Sequence, residues 1–315
     1  MTEIVSIGDY ETLAEGQLPR DAFDYVMGGS SDEITLRENV DAFGRRRLRP
    51  RMLVDVSRID TSTTFLGAPV ALPVGFAPTA MQGWLHVDGE VASARATSAS
   101  GGLFCASTMS SRSLEEIAEA GDSGWFQLYA HRDWTVSEDL VKRAAAAGYA
   151  AVVLTVDLPV LGNRERDLRA RPHMSHLHRY GNFPSADQEQ LGDLVDAHDR
   201  SLTWEFLDWL AGVSDLPLVV KGILTAEDAT TAADRGAAGV VVSNHGGRQL
   251  DRVPATIDVL EEIVEAVGKR LEVYLDGGVR RATDIITAVA LGARGVFIGR
   301  PLLYALAVEG EAGVR

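Results

Sequence analysis

From about residue 70 onward, short β-rich runs alternate with amphipathic helical patterns, and no other feature restricts the fold as much. The runs are Val70–Ala77, Gly102–Ser107, Trp125–Tyr129, Ala151–Val156, Pro217–Lys221, Gly239–Ser243, Glu272–Leu275 and Gly295–Ile298. Several are apolar throughout, as parallel strands covered on both faces must be. Between them, Leu114–Ala120, Ser137–Ala147, Ala226–Arg235, Ile257–Val267 and Thr283–Leu291 carry spaced apolar residues and polar faces. Ser113, Thr225 and Thr283 precede acidic residues and read as helix N-caps. Gly148, Gly236, Gly268 and Gly292 stand where C-terminal caps belong. Eight such repeats predict an α/β fold closed into a (β/α)8 TIM barrel. An open doubly wound sheet is the alternative, but the G-x-G-x-x-G turn that opens such sheets is missing.

Residues 1–315 read as a single barrel domain with two parts outside the repeat. Residues 1–69 form an N-terminal extension with helical stretches near Asp9–Glu15 and Asp21–Met27. Residues 164–215 form a long connection after the fourth strand, with one aromatic helix, Trp204–Leu210. A connection of that length in a compact domain is expected to be a lid. The chain stops at Arg315, where an eighth helix starting near Gly310 would begin, so that helix is expected to be truncated.

Composition narrows the function classes. A net charge of −15 argues against nucleic acid as a partner. The basic run Arg45 to Arg51 is expected to be a surface arm paired with acidic neighbours. The single cysteine, Cys105, allows no intrachain disulfide and fits a reducing compartment. Lying in an apolar run, it reads as a buried small hydrophobe. Met1 to Tyr10 lacks a signal-peptide core, and no apolar run approaches the roughly 20 residues that span a bilayer. A soluble cytoplasmic protein with no membrane partner is expected.

Chemistry in such barrels gathers at the C-terminal ends of the strands. There the chain places Thr79 and Ala80, Ser107, Gln127 and Tyr129, then Thr155 and Asp157 with Arg164 soon after. Lys221, Ser243 and His245 follow, then Asp276, Gly278, Arg280, Gly299 and Arg300. Glycine turns after strands seven and eight, each with an arginine, suit a phosphate held by backbone N–H groups and guanidiniums. The uncharged polar groups and Lys221 suit the edge of a flat heteroaromatic ring. A flavin fits, because a lysine near its N1 and C2 carbonyl would stabilise the negative charge of the reduced ring. A phosphate site without a Rossmann turn favours FMN over FAD or NAD. On the substrate side, Arg164 and Arg248 could clamp a carboxylate, His245 could take a proton, and Asp157 could stabilise the imidazolium. His173, His176 and His178 are assigned to the lid, and no metal is expected.

The segment Ser243-Asn244-His245-Gly246-Gly247-Arg248-Gln249-Leu250-Asp251 carries a specific resemblance. With Pro78-Thr79-Ala80-Met81, Leu154-Thr155-Val156-Asp157, Asp276-Gly277-Gly278-Val279-Arg280 and Gly299-Arg300-Pro301, the chain resembles the FMN-dependent α-hydroxy-acid oxidases and dehydrogenases from Tyr25 to Arg300. The resemblance implies oxidation of an (S)-2-hydroxy acid to a 2-keto acid, with dioxygen or another acceptor reoxidising the flavin. It implies His245 as base, Asp157 as its partner, and Arg164, Arg248, Tyr25 and Tyr129 as substrate contacts. Thr79, Ala80, Ser107, Gln127, Thr155, Lys221 and Ser243 would surround the flavin. Asp276, Gly278, Arg280, Gly299 and Arg300 would hold ribityl and phosphate. Hydride transfer and carbanion formation need the same residues and stay open. Tyr25 implies that the N-terminal extension folds over the barrel mouth. A homotetramer or larger assembly is implied. Met109 stands where glycolate oxidases carry a bulky tryptophan, and with Trp84 it suggests a substrate larger than glycolate. Two alternatives stand beside this one: a flavin-binding barrel disabled by a truncated C-terminus, and a flavin isomerase.

Overall fold

The computed structural model describes residues 3–122, 124–169, 180–183 and 198–315. Three helices open the chain, α1 (Ile7–Gln17), α2 (Arg20–Met27) and α3 (Ile34–Arg45), and a hairpin follows, β1 (Thr63–Phe65) with β2 (Ala68–Val70). Eight parallel strands then close into a barrel: β3 (Val74–Phe76), β4 (Leu103–Ser107), β5 (Trp125–Leu128), β6 (Ala151–Thr155), β7 (Leu218–Ile223), β8 (Gly239–Val242), β9 (Glu272–Asp276) and β10 (Gly295–Ile298). Strand β10 pairs with β3 to close the ring. Around it lie α4 (Gly89–Ala99), α5 (Leu114–Ala120), α6 (Trp134–Ala146), α7 (Glu165–Arg169), α8 (Glu205–Ala211), α9 (Ala226–Asp234), α10 (Thr256–Val267), α11 (Ala282–Ala290) and α12 (Arg300–Val314).

The period of two along each strand sorts the side chains. Phe104, Phe126, Val152, Leu154, Val220, Val242 and Leu275 point outward and join the helices in the main core. Cys105, Trp125, Val153, Val219, Val241, Tyr274 and Phe297 point into the barrel. Phe65, brought in by the hairpin, plugs the lower end, its ring 5.0 Å from Tyr274 and 6.2 Å from Trp125. Gly295 makes room for that plug, since a Cβ there would stand 2.4 Å from Phe65 Cζ.

Several expectations need correction. The first run splits: Val70 belongs to the hairpin, and the barrel strand is only Val74–Phe76. The eighth helix begins at Arg300, ten residues before the expected start, and continues past a break at Gly310 (φ +57°) to Val314. Its first turn holds Pro301, which fits there because no N–H is needed. Thr283 lies inside α11; the side chain that caps this helix is Asp284, which accepts the Arg281 N–H at 2.8 Å. Gly268 keeps right-handed backbone, whereas Gly148, Gly236 and Gly292 take the left-handed form. In the basic run, Arg45 and Arg46 pair with Asp258, while Arg47 turns back to the Gly44 and Arg46 carbonyls. Cys105 is buried, and burial raises its thiol pKa. His173, His176 and His178 lie outside the described residues. No helix among the described residues is long and apolar enough to cross a membrane.

Candidate active site

Past β8 the chain turns through His245, Gly246 and Gly247, with φ of +57°, +63° and +75°. Left-handed backbone costs a histidine on the order of 1 kcal/mol, so the turn must be held from outside. Asn244 does this. Its Oδ1 accepts from Gly247 N, and its amide exchanges two 2.8 Å hydrogen bonds with the buried Asn39 of α3. Asp251 accepts the Ile34 and Thr35 N–H groups that open α3. Gly247 is needed because a Cβ would stand 2.6 Å from Leu36 N. The extension and the loop therefore fix each other.

This turn aims His245 at Asp157, whose Oδ1 lies 2.7 Å from Nδ1. The other nitrogen, Nε2, is 3.5 Å from the Tyr129 hydroxyl. Burial pulls the His245 pKa below its ordinary value near 6.5; Asp157 opposes this and Lys221 adds to it. Burial alone would raise Asp157, but His245 and Lys221 outweigh it and hold the carboxyl below its ordinary range. Gln249 secures the Asp157 loop by donating to the carbonyls of Asp157 and Val160 at 3.0 and 2.9 Å.

The topmost inward rung of the barrel is polar, unlike the rungs below. Ser107, Gln127, Thr155, Lys221, Ser243 and Asp276 share it, all buried. Lys221 donates to Ser243 Oγ at 2.9 Å and lies 3.5 Å from Asp276 and 3.7 Å from Asp157. Burial alone would lower the Lys221 pKa; the two carboxylates hold it above its ordinary value. Gln127 Nε2, Thr155 Oγ1 and Asp276 Oδ1 are buried without a hydrogen-bonding partner among the described residues. Orphaned polar atoms in a core are costly, and three on one rung mark where a flat polar group belongs.

Above this rung opens a cavity of about 320 Å³. Lys221, Asp276, Thr79 and Ala80 reach its wall, as do His245, Arg248, Arg164, Tyr25 and Tyr129. Gly278, Arg280, Gly299 and Arg300 line it too. Thr155 instead lines a neighbouring cavity that shares Tyr129, Leu158 and His198 with the first. Gly278 must be glycine, since a Cβ would stand 1.9 Å from the Asn39 carbonyl oxygen. Arg300 donates to the Val26, Gly246 and Gly28 carbonyls, tying the extension to the His245 turn. Burial, with the Arg248 and Arg280 charges, pulls its pKa down to about 9. Three guanidiniums crowded this way call for an anion, and a phosphate beside the glycine turns would relieve them. Of the polar rung, Lys221 and Asp276 reach this cavity's wall, and with the cationic end they fit FMN.

Tyr25 of α2 reaches the cavity under both substrate-side arginines. The Arg248 and Arg164 guanidinium carbons stand 4.8 and 5.8 Å from its ring centre. Trp84 packs against the same ring at 5.4 Å. Met81, Met109 and Tyr180 form an apolar cluster beside Tyr25, Ala80 and Tyr129. Behind the wall, buried Gln82 donates to Thr79 Oγ1 at 2.9 Å, and buried Glu90 accepts from the Gln82 and Ser111 N–H groups. Sequence reasoning missed Asn39, Gln82, Glu90 and Gln249; only Gln249 lay inside a motif singled out for chemistry.

The sequence model of the FMN-dependent dehydrogenase family matches residues 14–315. Glycolate oxidase 1 of Oryza sativa subsp. indica is 49% identical over 325 residues, covering 100% of this chain and 88% of the relative. Glycolate oxidase of Spinacia oleracea is 47% identical, covering 99% and 88%. Among solved structures, a mandelate oxidase superposes with a TM-score of 0.94 at 44% identity, covering 99% of this chain and 90% of the other. The same comparison with a mandelate oxidase bound to (S)-4-hydroxymandelic acid gives a TM-score of 0.95 at 43% identity, with the same coverage.

Proposed function

Because this chain belongs to the FMN-dependent dehydrogenase family, we propose that His245, Arg164 and Arg248 act together on the hydroxyl and carboxylate of an (S)-2-hydroxy acid. The chain is an FMN-dependent enzyme that oxidises 2-hydroxy acids to 2-keto acids. The residue assignment rests on one observation, the 2.7 Å contact of His245 Nδ1 with Asp157, which leaves Nε2 to take a proton. Nε2 takes the proton of the substrate, and Asp157 stabilises the imidazolium that results. Arg248 and Arg164 bind the carboxylate, with the Tyr25 and Tyr129 hydroxyls beside it. This holds the reacting carbon in one orientation. FMN supplies the acceptor for the two electrons released at Cα. Ser107, Gln127, Thr155, Lys221 and Ser243 would meet its ring and ribityl chain beside Thr79 and Ala80; Asp276, Gly278, Arg280, Gly299 and Arg300 would hold ribityl and phosphate. The flavin isomerase gives way to the family match, and the truncated, inactive barrel to the helix that follows β10.

The substrate is larger than glycolate and carries a hydrocarbon side chain on Cα. Its pocket is the Met81–Met109–Tyr180 cluster, where flexible thioethers adapt to shape and each buried methylene is worth about 0.8 kcal/mol. Dioxygen is the acceptor, a reading supported by the relatives named as oxidases. The test is anaerobic flavin bleaching by glycolate, lactate, 2-hydroxyoctanoate and mandelate, followed by admission of air. Glycolate as the fastest substrate would defeat the pocket assignment, and a flavin that stays bleached in air would defeat dioxygen.

The chain self-associates into a homotetramer or larger assembly. Support comes from an arm whose Met52, Leu53, Val54, Val56 and Ile59 are 59 to 105% exposed beside Arg51 and Arg58, on a chain of net charge −15. A second acidic copy suits such an arm. Light scattering would find a monomer for Leu53→Asp with Val56→Asp; an unchanged assembly would remove the arm from the interface.

A further inference from the structure

Arg164 shares the cavity with a carboxylate of the chain itself. Asp167, on the next turn in α7, lines the same wall, its Oδ2 3.3 Å from Arg164 Nε. The two side chains are only 16% and 12% exposed. The contact is an ion pair without an aligned hydrogen bond, for Arg164 Nε and Asp167 Oδ1 are both buried with no hydrogen-bond partner among the described residues. Arg248 is held differently, by the carbonyls of Tyr25 and Gly28 at 2.6 and 3.0 Å. One guanidinium of the substrate site is therefore fixed by backbone; the other, among the described residues, meets the Tyr25 ring and a loosely held carboxylate. Burial raises the Asp167 pKa, opposed by Arg164 and Arg248 and aided by Asp24. A single misaligned contact holds a guanidinium less well than the two aligned hydrogen bonds a free carboxylate can form with it.

We propose that Asp167 is a built-in stand-in for the substrate carboxylate, neutralising Arg164 in the free enzyme and yielding it when substrate enters. This rests on Arg164 as a substrate-binding group. Without a counter-charge, two guanidiniums against one tyrosine ring would repel each other. With Asp167 in place the free site stays assembled, but an incoming carboxylate must displace it. Asp167 thus lowers affinity for the substrate and for the keto acid product, raising KM and easing product release. It acts on the carboxylate end alone.

The experiment measures dissociation constants of benzoylformate and its neutral amide on the FMN-loaded enzyme, by flavin absorbance. Wild type is compared with Asp167→Asn, Asp167→Ala and Arg164→Met. Both Asp167 variants are expected to bind benzoylformate about five- to tenfold more tightly, with the amide unchanged. KM falls, and kcat stays within about twofold. A structural prop would weaken both ligands together, and that result overturns the proposal. Unchanged benzoylformate binding in both Asp167 variants overturns it as well. Arg164→Met separates the two levels: if it leaves benzoylformate binding intact, the reading of Arg164 fails, whereas if it weakens binding and the Asp167 variants do not tighten it, only the stand-in role falls.

Discussion

The barrel interior has two layers made by the same strands, an aromatic one below and a polar one above. Below, Phe65, Trp125, Tyr274 and Phe297 pack ring on ring, with centroids 5.0 to 6.2 Å apart. Above, one strand repeat further on, Gln127, Lys221 and Asp276 continue from Trp125, Val219 and Tyr274. Among the described residues the lower layer is almost complete in itself, with Trp125 Nε1 lacking a partner, whereas the upper layer leaves Gln127, Thr155 and Asp276 each with an orphaned atom. One layer exists to be filled by its own side chains, the other by something brought to it. Stability and chemistry are thus separated by about 6.6 Å along the strands.

The largest expected effect tests the upper side of this division. His245→Ala should lower kcat by about 10³–10⁴-fold, some 4–5 kcal/mol of barrier, with the melting temperature nearly unchanged. Rapid-reaction flavin reduction measures the first and calorimetry the second. A large loss of melting temperature would mean that the left-handed turn supports the fold as well as the chemistry.

On the lower side, Trp125→Ala should cost about 3–4 kcal/mol in denaturant unfolding, while the folded fraction keeps kcat within about twofold. If stability held but kcat collapsed, the two layers would be coupled.

Acid sharpens the contrast further. His245 has a depressed pKa in the folded state, while the unfolded chain titrates near 6.5. Its neutral form therefore contributes stability above pH 6.5, and that contribution is lost as pH falls towards the lower folded value. Activity needs unprotonated Nε2, so the acid limb of kcat/KM should lie below 6.5. Asp157→Asn, which removes the group opposing the depression, should move the limb lower still and cut the plateau by about 10²-fold. A limb above 6.5 in the wild type would contradict the half-buried, neutral imidazole.

The barrel was legible because its strands are apolar runs with period-two burial, and its upper rung because polar residues stand at strand ends where apolar ones are expected. The His245 loop was legible from two glycines and two charges in one short motif. What stayed hidden depends on contacts between distant segments. Asn39 looks like any polar helix residue until α3 meets Asn244, and Asp251 reveals nothing until α3 starts against it. Helix α4, made largely of Ala, Ser and Gly, has almost no apolar periodicity because it packs closely on several sides. The eighth helix stays hidden because Gly310 reads as a start, although Pro301 already marks its first turn.

The smallest expected effect is the most discriminating. Thr155→Val keeps the shape and β-branching of the side chain and removes only Oγ1, which has no partner among the described residues. On the protein alone this deletes a buried, unpaired hydroxyl, so the FMN-free form should be no less stable and should gain up to about 1 kcal/mol. If the hydroxyl is kept to meet the cofactor, the same change should weaken FMN binding about fivefold, measured by the fluorescence of released flavin. The two effects have opposite signs, which a general packing defect cannot produce. Loss of stability without loss of FMN would place Thr155 with the lower layer, as one more residue that fills the barrel rather than one that waits for a ligand.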